Sequence, residues 1–121
     1  MDVVMFRAWD IKRKEMIYID DLYFFEEEGI HEIVDGIAKG HHAEYKIMQY
    51  TGLKDKNSKK IFEGDIAKLL DENHKENEIG QVIYREGAYR IFTNYQFEMN
   101  LSAFVSDEIE IVGNIYENST K

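Results

Sequence analysis

Apolar residues along the chain occur in short runs that are separated by turn-forming residues. Most runs are rich in Val, Ile, Tyr and Phe, the residue types that suit a pleated, half-buried sheet. The pattern therefore favours strands over long helices. The predicted strands before the C-terminal region are Val3–Trp9, Met16–Ile19, Leu22–Phe25, Tyr45–Tyr50, Ile66–Leu70, Ile79–Arg85 and Ala88–Phe92.

The clearest hairpin joins Ile79–Arg85 to Ala88–Phe92 through Glu86-Gly87. A two-residue connection needs positive φ, which Gly adopts at no steric cost. Near the C-terminus, Glu108–Ile111 alternates strictly between acidic and apolar residues. This alternation predicts a strand with one buried and one solvated face.

The sequence is compatible with two alternative structures for the segment 30–38. Ile30–Val34 reads as a strand that forms a hairpin with Leu22–Phe25. The apolar residues of the segment also recur at the spacing of one helix face. Gly36 opposes a helix, because Gly costs about 1 kcal/mol relative to Ala in a helix interior. The hairpin is favoured, and the helix is the alternative.

From Met48 onward, about five short strands follow one another between turns. A sheet of this size loses its exposed edges when it closes, so we expect a small closed or half-closed barrel. The predicted organisation is a β-rich region over residues 1–47, packed on a barrel over residues 48–118. A chain of 121 residues fits one compact structural unit of this kind.

Composition narrows the classes of partner and the compartment. The net charge of −9 opposes general affinity for nucleic acid, which requires clustered Lys and Arg. It suits a protein partner, a cation, mimicry of nucleic acid, or solubility alone. The absence of Cys excludes disulfides and fits a reducing cytosol. No segment reads as a signal peptide or a membrane helix, so we expect a cytoplasmic protein.

Candidate catalytic and metal-binding residues do not form a convincing constellation. His41-His42 would need a third ligand such as Glu44, and neighbours on a strand point to opposite faces. His31 and His74 read as isolated. The acidic runs at 20–21 and 26–28 and the Asp71-Glu72-Asn73 loop read as solvated turns. We therefore predict no catalytic, metal or cofactor site.

Two sets of residues are candidates for an interaction surface. Aromatic residues in the C-terminal half exceed what one small barrel needs inside, and aromatics are enriched in interface cores. The competing interpretation is that most of them are core. A polar loop, Lys54–Lys60, carries basic residues that suit a phosphate backbone or an acidic partner, although such runs are usually only solvated. The candidates are Tyr89, Phe92, Tyr95, Phe97, Lys54, Lys56, Lys59 and Lys60.

Three stretches carry a family resemblance, in one order from end to end. They are Phe6-Arg7-Ala8-Trp9-Asp10, the segment from Met48-Gln49-Tyr50-Thr51-Gly52-Leu53-Lys54-Asp55 to Ile61-Phe62-Glu63-Gly64-Asp65-Ile66, and Ile111-Val112-Gly113-Asn114-Ile115-Tyr116. With them the chain resembles the YopX-like family of small phage and prophage proteins. Ser58 and Phe62 depart from that family's usual Gly and Tyr.

The resemblance implies a mainly β protein with an SH3-like barrel in its C-terminal half, and a phage or prophage origin. It carries no catalytic residue with it. The motif residues Asp55 and Asp65 also suit Asx turns, and Gly52 and Gly64 suit positive φ. We expect a non-enzymatic accessory protein that acts by protein contact, as a homo-oligomer. The alternatives are a nucleic-acid-related binding module and an acidic DNA mimic that occupies a host protein.

Overall fold

In the computed structural model, residues 5–70, 78–93 and 97–117 are described, and they are mainly β. All strand pairs given below are antiparallel, as expected for short strands joined by tight turns. Among these residues no helix is long or apolar enough to cross a membrane. The elements are β1 (Phe6–Asp10), β2 (Glu15–Ile19), α1 (Tyr23–Glu27), β3 (Glu32–Val34), β4 (Ile37–Lys39), β5 (Glu44–Lys54), β6 (Lys60–Phe62), β7 (Asp65–Leu69), β8 (Glu78–Arg85), β9 (Ala88–Thr93), β10 (Glu98–Asn100) and β11 (Ile109–Asn114), with 3-10 turns at Leu101–Ala103 and Ser106–Glu108.

The chain divides into two compact units, Met1–Tyr50 and Thr51–Lys121. The boundary predicted between residues 47 and 48 and the observed one both fall within β5. The first sheet has the order β2-β1-β5-β4-β3, and β6 also pairs with β5. The core of the first unit gathers around Ala8, Ile19, Ala38 and Tyr45.

The predicted strand Leu22–Phe25 is wrong, because this segment enters the single-turn helix α1. The Asp21 carboxylate accepts a hydrogen bond from the backbone N–H of Tyr23 at 2.9 Å, which favours a turn at this point. Phe24 and Phe25 both pack against the core of the first unit. A strand would point these two neighbours to opposite faces, whereas a helical turn lets both rings reach one core.

The segment 30–38 forms a hairpin, but with a different partner from the one predicted. Strand β3 pairs with β4, with Val34 opposite Ile37, and not with Leu22–Phe25. Asp35 and Gly36 form the connection with φ of 54° and 78°. These values fit a type I′ turn, which matches the twist of the flanking strands. The helix alternative for this segment is wrong.

The second unit contains a five-stranded sheet with the order β10-β9-β8-β7-β11. The predicted hairpin around Glu86-Gly87 is confirmed as β8–β9, and both turn residues have positive φ. The predicted alternation in β11 is confirmed as well, since Ile109 and Ile111 are buried. The core residues of this unit are Ile61, Ala67, Leu69, Val82, Ile91, Leu101, Ile109 and Ile111.

The predicted closed barrel is not formed by the residues that the structure describes. Strands β10 and β11 lie at opposite ends of the second sheet, and no pairing between them is present in this part of the chain. Closure would have needed a ladder between those two strands, whereas β10 is only three residues long. The fold is therefore two antiparallel sheets, each with its own core.

Candidate functional site

The strongest sequence motif is a structural loop anchored by a buried carboxylate. Asp55 is 2% exposed, and its Oδ1 accepts hydrogen bonds from the backbone N–H groups of Asn57 at 2.8 Å and Lys59 at 2.9 Å. Its Oδ2 accepts one from the backbone N–H of Ile111 at 2.9 Å. Burial raises the pKa of Asp55, but these bonds outweigh it and hold the pKa below its ordinary value. The interpretation of Asp55 as a turn-forming residue is confirmed.

The other motif residues have similar roles. The Asp65 carboxylate is buried and accepts a hydrogen bond from the backbone N–H of Phe62 at 2.7 Å. The Thr51 hydroxyl donates to the carbonyl oxygen of Ile61 at 2.8 Å. Gly52 and Gly64 have φ of 90° and 92°, as predicted. This motif shapes the backbone between β5 and β7.

The four candidate lysines lie on this loop and at its two ends. Lys54 ends β5 and Lys60 begins β6. Lys54, Lys56 and Lys59 are exposed, and Lys60 is half-buried. The backbone N–H of Lys56 donates to the carbonyl oxygen of Ile109 at 2.9 Å, which holds the loop against β11. The loop therefore presents three exposed cationic residues on a fixed backbone.

The candidate aromatics do not share one face. Tyr89 is half-buried and packs against the core of the second unit, with its ring centroid 5.0 Å from that of Tyr84. Phe92 is 41% exposed and Phe97 is 64% exposed. Tyr95 lies outside the described residues. Of the three aromatics that can be placed, Tyr89 serves the core, and the two phenylalanines are open to solvent.

Phe92 points away from the core of the second unit. Its neighbours in β9, Ile91 and Thr93, are 0% and 1% exposed, so alternation directs Phe92 to the opposite side of the sheet. The ladder places Phe92 between Glu98 of β10 and Gln81 of β8. We call this outer side of β7–β10 the Phe92 face.

Three isoleucines share the Phe92 face. Val82 and Ala67 are fully buried, so Ile83 and Ile66 beside them point outward. Ile79 is 45% exposed on the same side. We did not predict these residues as part of a surface. The sequence does contain a signal for this surface. In β8, apolar residues occur at both odd and even positions, a pattern typical of a strand covered on both faces.

An ionic network lies beside Phe92. The Glu98 carboxylate contacts the guanidinium groups of both Arg85 and Arg90, the latter at 3.5 Å from Nη1 to Oε2. The Arg90 Nε also donates to the carbonyl oxygen of Arg85 at 3.2 Å. Because Glu98 is bonded to two cations, a phosphate would have to compete with this carboxylate for them. The network gives the face a polar rim in which one carboxylate is shared by two guanidinium groups.

The histidines are closer together than predicted. The ring centroids of His31 and His41 are 6.4 Å apart, and those of His41 and His42 are 6.2 Å apart. The prediction that His31 is isolated is therefore wrong, because the β3–β4 hairpin brings it beside the 41–42 turn. In the part of the chain that the structure describes, no group of three or more His, Asp or Glu residues is arranged to hold a metal ion.

The predicted acidic clusters have mixed surroundings. Glu28 accepts a hydrogen bond from the Tyr45 hydroxyl at 2.5 Å. Asp20 and Asp21 lie at one side of an open depression of about 260 Å³ in the first unit, whose other lining residues are apolar. The Asp71-Glu72-Asn73 loop and His74 lie outside the described residues. Among the acidic residues of these clusters that the structure describes, none is paired with a nucleophile or a second acid in a way that suggests a reaction.

The family model and one solved structure point to the same family. The family model described as YopX protein matches residues 5–121. The crystal structure of protein yopX from Bacillus subtilis is similar to this chain, with a TM-score of 0.63 and 18% identity over 98% of this chain and 97% of that one. Protein EF1440 from Enterococcus faecalis is also similar, with a TM-score of 0.56 and 26% identity over 95% of this chain and 94% of that one. The search of curated proteins found no match. The chain belongs to the YopX family.

Proposed function

We propose that this chain is a cytoplasmic accessory protein of phage or prophage origin, and that it acts through protein contact rather than catalysis. The observation that carries the proposal is Phe92, a large aromatic side chain that is 41% exposed on the outer side of β9. We propose the Phe92 face as its docking surface, with a host or phage protein as the partner. The protein works as a homo-oligomer.

The composition of the Phe92 face resembles that of a protein interface. An aromatic residue shares the face with aliphatic residues, and Glu98 with its two arginines lies next to it at the edge of the sheet. Burying a Phe side chain contributes about 1.5–3 kcal/mol, and such anchors dominate binding at interfaces. A complementary partner would bring an apolar patch to Phe92 and polar groups to the rim.

A non-catalytic role also fits the use of the buried carboxylates. Asp10 accepts hydrogen bonds from the backbone N–H groups of Lys12 at 3.0 Å and Arg13 at 2.9 Å. Asp55 and Asp65 likewise bond backbone N–H groups. Each carboxylate stabilises a turn, and a group committed in this way is a poor general acid or base.

The experiment compares Phe92→Ser with Phe97→Ser as matched baits. Both remove an exposed phenyl ring, but only the first alters the Phe92 face. We expect wild-type protein and Phe97→Ser to retain the same phage or host protein, and Phe92→Ser to lose it. Circular dichroism should show that both variants are folded. Equal retention by both variants would refute the docking surface.

The alternative is nucleic-acid binding through the Lys54–Lys60 loop. Its support is the fixed backbone that presents Lys54, Lys56 and Lys59 to solvent. The net charge of −9 and the engagement of both arginines by Glu98 weigh against it. Filter binding at low salt tests it, because a phosphate contact must weaken as salt rises and must weaken further in Lys56→Gln/Lys59→Gln. If the affinity for nucleic acid does not fall as the salt concentration rises, the loop does not bind through phosphate contacts.

A further inference from the structure

Among the residues that the structure describes, strand β3 is the edge of the first sheet, and it carries an exposed apolar residue on each face. Ile33 is 57% exposed and Val34 is 46% exposed, although neighbouring strand residues point to opposite sides. Strands with apolar residues on both faces are typical of the interior of a sheet. Exposed edges are usually protected by charge or covered, because they can pair with another strand. Strand β3 is three residues long and begins with Glu32, and its other two residues, Ile33 and Val34, are exposed apolar residues at an edge position.

The backbone of β3 offers one strong pairing position at its open side. Val34 and Ile37 flank the two-residue Asp35-Gly36 turn, and such a turn is closed by a hydrogen-bonded pair. Hydrogen-bonded and non-hydrogen-bonded pairs alternate along an antiparallel ladder. Ile33, opposite Ala38, therefore directs its N–H and C=O away from β4 and toward the open edge.

We propose that a second copy of this chain pairs with β3 in antiparallel orientation, with Ile33 facing Ile33 of the second copy across a two-fold axis. The two Ile33 residues would exchange two backbone hydrogen bonds, which is the arrangement of a hydrogen-bonded antiparallel pair. Such an interface is isologous and closes after two copies. The two first sheets become one continuous sheet.

Charge in this register supports a second copy as the occupant. Antiparallel pairing centred on Ile33 places Glu32 opposite Val34 of the second copy. Just beyond the strand, it brings the segment at His31 toward the turn that holds Asp35 of the second copy. Within the strand, no like charges face each other in this register. Centring the pair on Glu32 instead would oppose two carboxylates, which is destabilising. Of these two registers, only the one centred on Ile33 avoids facing carboxylates.

The core of the first unit also continues into this interface. The ladder aligns Tyr45 of β5, Ala38 of β4 and Ile33 of β3 in one row. Tyr45 and Ala38 are 4% and 0% exposed, so the row is buried up to Ile33. Pairing of the two edges would add Ile33, Ala38 and Tyr45 of the second copy to the row. Ile33 would then gain the cover that its neighbours already have.

This inference deepens the proposed homo-oligomer, but it uses a surface separate from the Phe92 face. A β3 variant that no longer self-associates but still retains its partner protein would show that β3 serves self-association and not partner binding. If Phe92→Ser loses the partner protein but still self-associates, the Phe92 face serves partner binding and not self-association. The two proposals can therefore fail independently.

The absence of native Cys makes a direct test possible, because a single introduced Cys has no intramolecular partner. Residues of a hydrogen-bonded pair have Cα atoms about 5.5 Å apart, within the range that a disulfide spans. Under oxidised glutathione, Ile33→Cys should form a covalent dimer. Val34→Cys is the matched control. In the proposed register the two copies of position 34 are not opposite each other, so this variant should cross-link at least about tenfold more slowly than Ile33→Cys.

Sedimentation equilibrium of the full chain tests the interface without a cross-link. Wild-type protein should dimerise, and Ile33→Lys should weaken dimerisation by at least about tenfold, which corresponds to about 1.4 kcal/mol. Ile11→Lys places the same charge on an exposed residue of the β1–β2 turn and should dimerise as wild type does. A monomeric wild type overturns the proposal, as does cross-linking of Val34→Cys as fast as Ile33→Cys.

Discussion

The carboxylate of Asp55 accepts a hydrogen bond from the backbone N–H of Ile111 at 2.9 Å, across a separation of 56 residues. The same carboxylate holds its own loop through Asn57 and Lys59. One buried side chain therefore joins the loop that follows β5 to strand β11. Its loss should affect the loop and the edge of the second sheet together.

Replacing this carboxylate should destabilise the protein. In Asp55→Asn, the amide has one acceptor oxygen where the carboxylate has two, so at least one buried backbone N–H loses its partner. We expect the free energy of unfolding to fall by about 1–3 kcal/mol, the cost of an unsatisfied buried donor. Urea denaturation measures this change. Asp107→Asn, an exposed acid in the same unit, is the control and should change stability little.

The stability difference between wild type and Asp55→Asn should depend on pH. The pKa of Asp55 is lowered in the folded protein, because the backbone hydrogen bonds outweigh the effect of burial. The unfolded chain therefore binds the proton more readily, and the stabilisation is present above the unfolded pKa of about 3.9. It is lost as pH falls through the lower folded pKa. Unfolding free energies measured from neutral to acidic pH should converge for the two proteins. A constant difference would contradict this role.

The Tyr45 hydroxyl should resist ionisation in alkali. Burial raises the pKa of Tyr45 first, and the hydrogen bond and negative charge of Glu28 raise it further. This stabilisation is fully present below the unfolded pKa of about 10 and is lost as pH rises through the folded pKa. Titration of tyrosinate absorbance should show a late-ionising group that is absent in Tyr45→Phe, whereas Tyr89, whose pKa burial also raises, is retained in both proteins. Tyr18→Phe, at a half-exposed site, should leave that group in place.

Two glycines of the β8–β9 hairpin should differ in the cause of their sensitivity to Ala. At Gly80 an added Cβ would lie 2.4 Å from Ile91 Cγ2 and 3.0 Å from the carbonyl oxygen of Phe92. At Gly87 it would meet no atom within 4 Å, but φ there is +81°. Gly80→Ala should cost about 1–3 kcal/mol from overpacking. Gly87→Asn, whose residue type tolerates positive φ, should cost less than Gly87→Ala. Thermal unfolding compares the three variants.

Local pattern predicted the elements whose cause is local. The β8–β9 hairpin follows from Glu86-Gly87 between two apolar runs, and Ile109 and Ile111 follow from alternation. The segment at Leu22–Phe25 was mispredicted because its apolar residues suit a strand equally well. The helix forms because it lets Phe24 and Phe25 pack on one core. That core is built by strands distant in sequence, so the local pattern does not reveal it.

The candidate surfaces were predictable only in part. Phe92 was identified by residue type, but its outward direction depends on the burial of Ile91 and Thr93. The opposite direction of Tyr89 depends on the same ladder. The proximity of His31 to His41 required the hairpin partner of β3 to be known. Residue type indicated which side chains to consider, whereas strand register determined their neighbours.

The pairing of β7 with both β8 and β11 has a consequence for the order in which the second unit forms. Strand β8 follows β7 closely in the chain, but β11 follows it only after β9 and β10. Pairing of distant segments requires the closure of a long loop, which slows folding. During synthesis, β7 and the Asp55 carboxylate must wait for β11 to leave the ribosome. The first unit has no such delay, because its strands end with β5. We therefore expect translation to produce a folded first unit before the second sheet is complete.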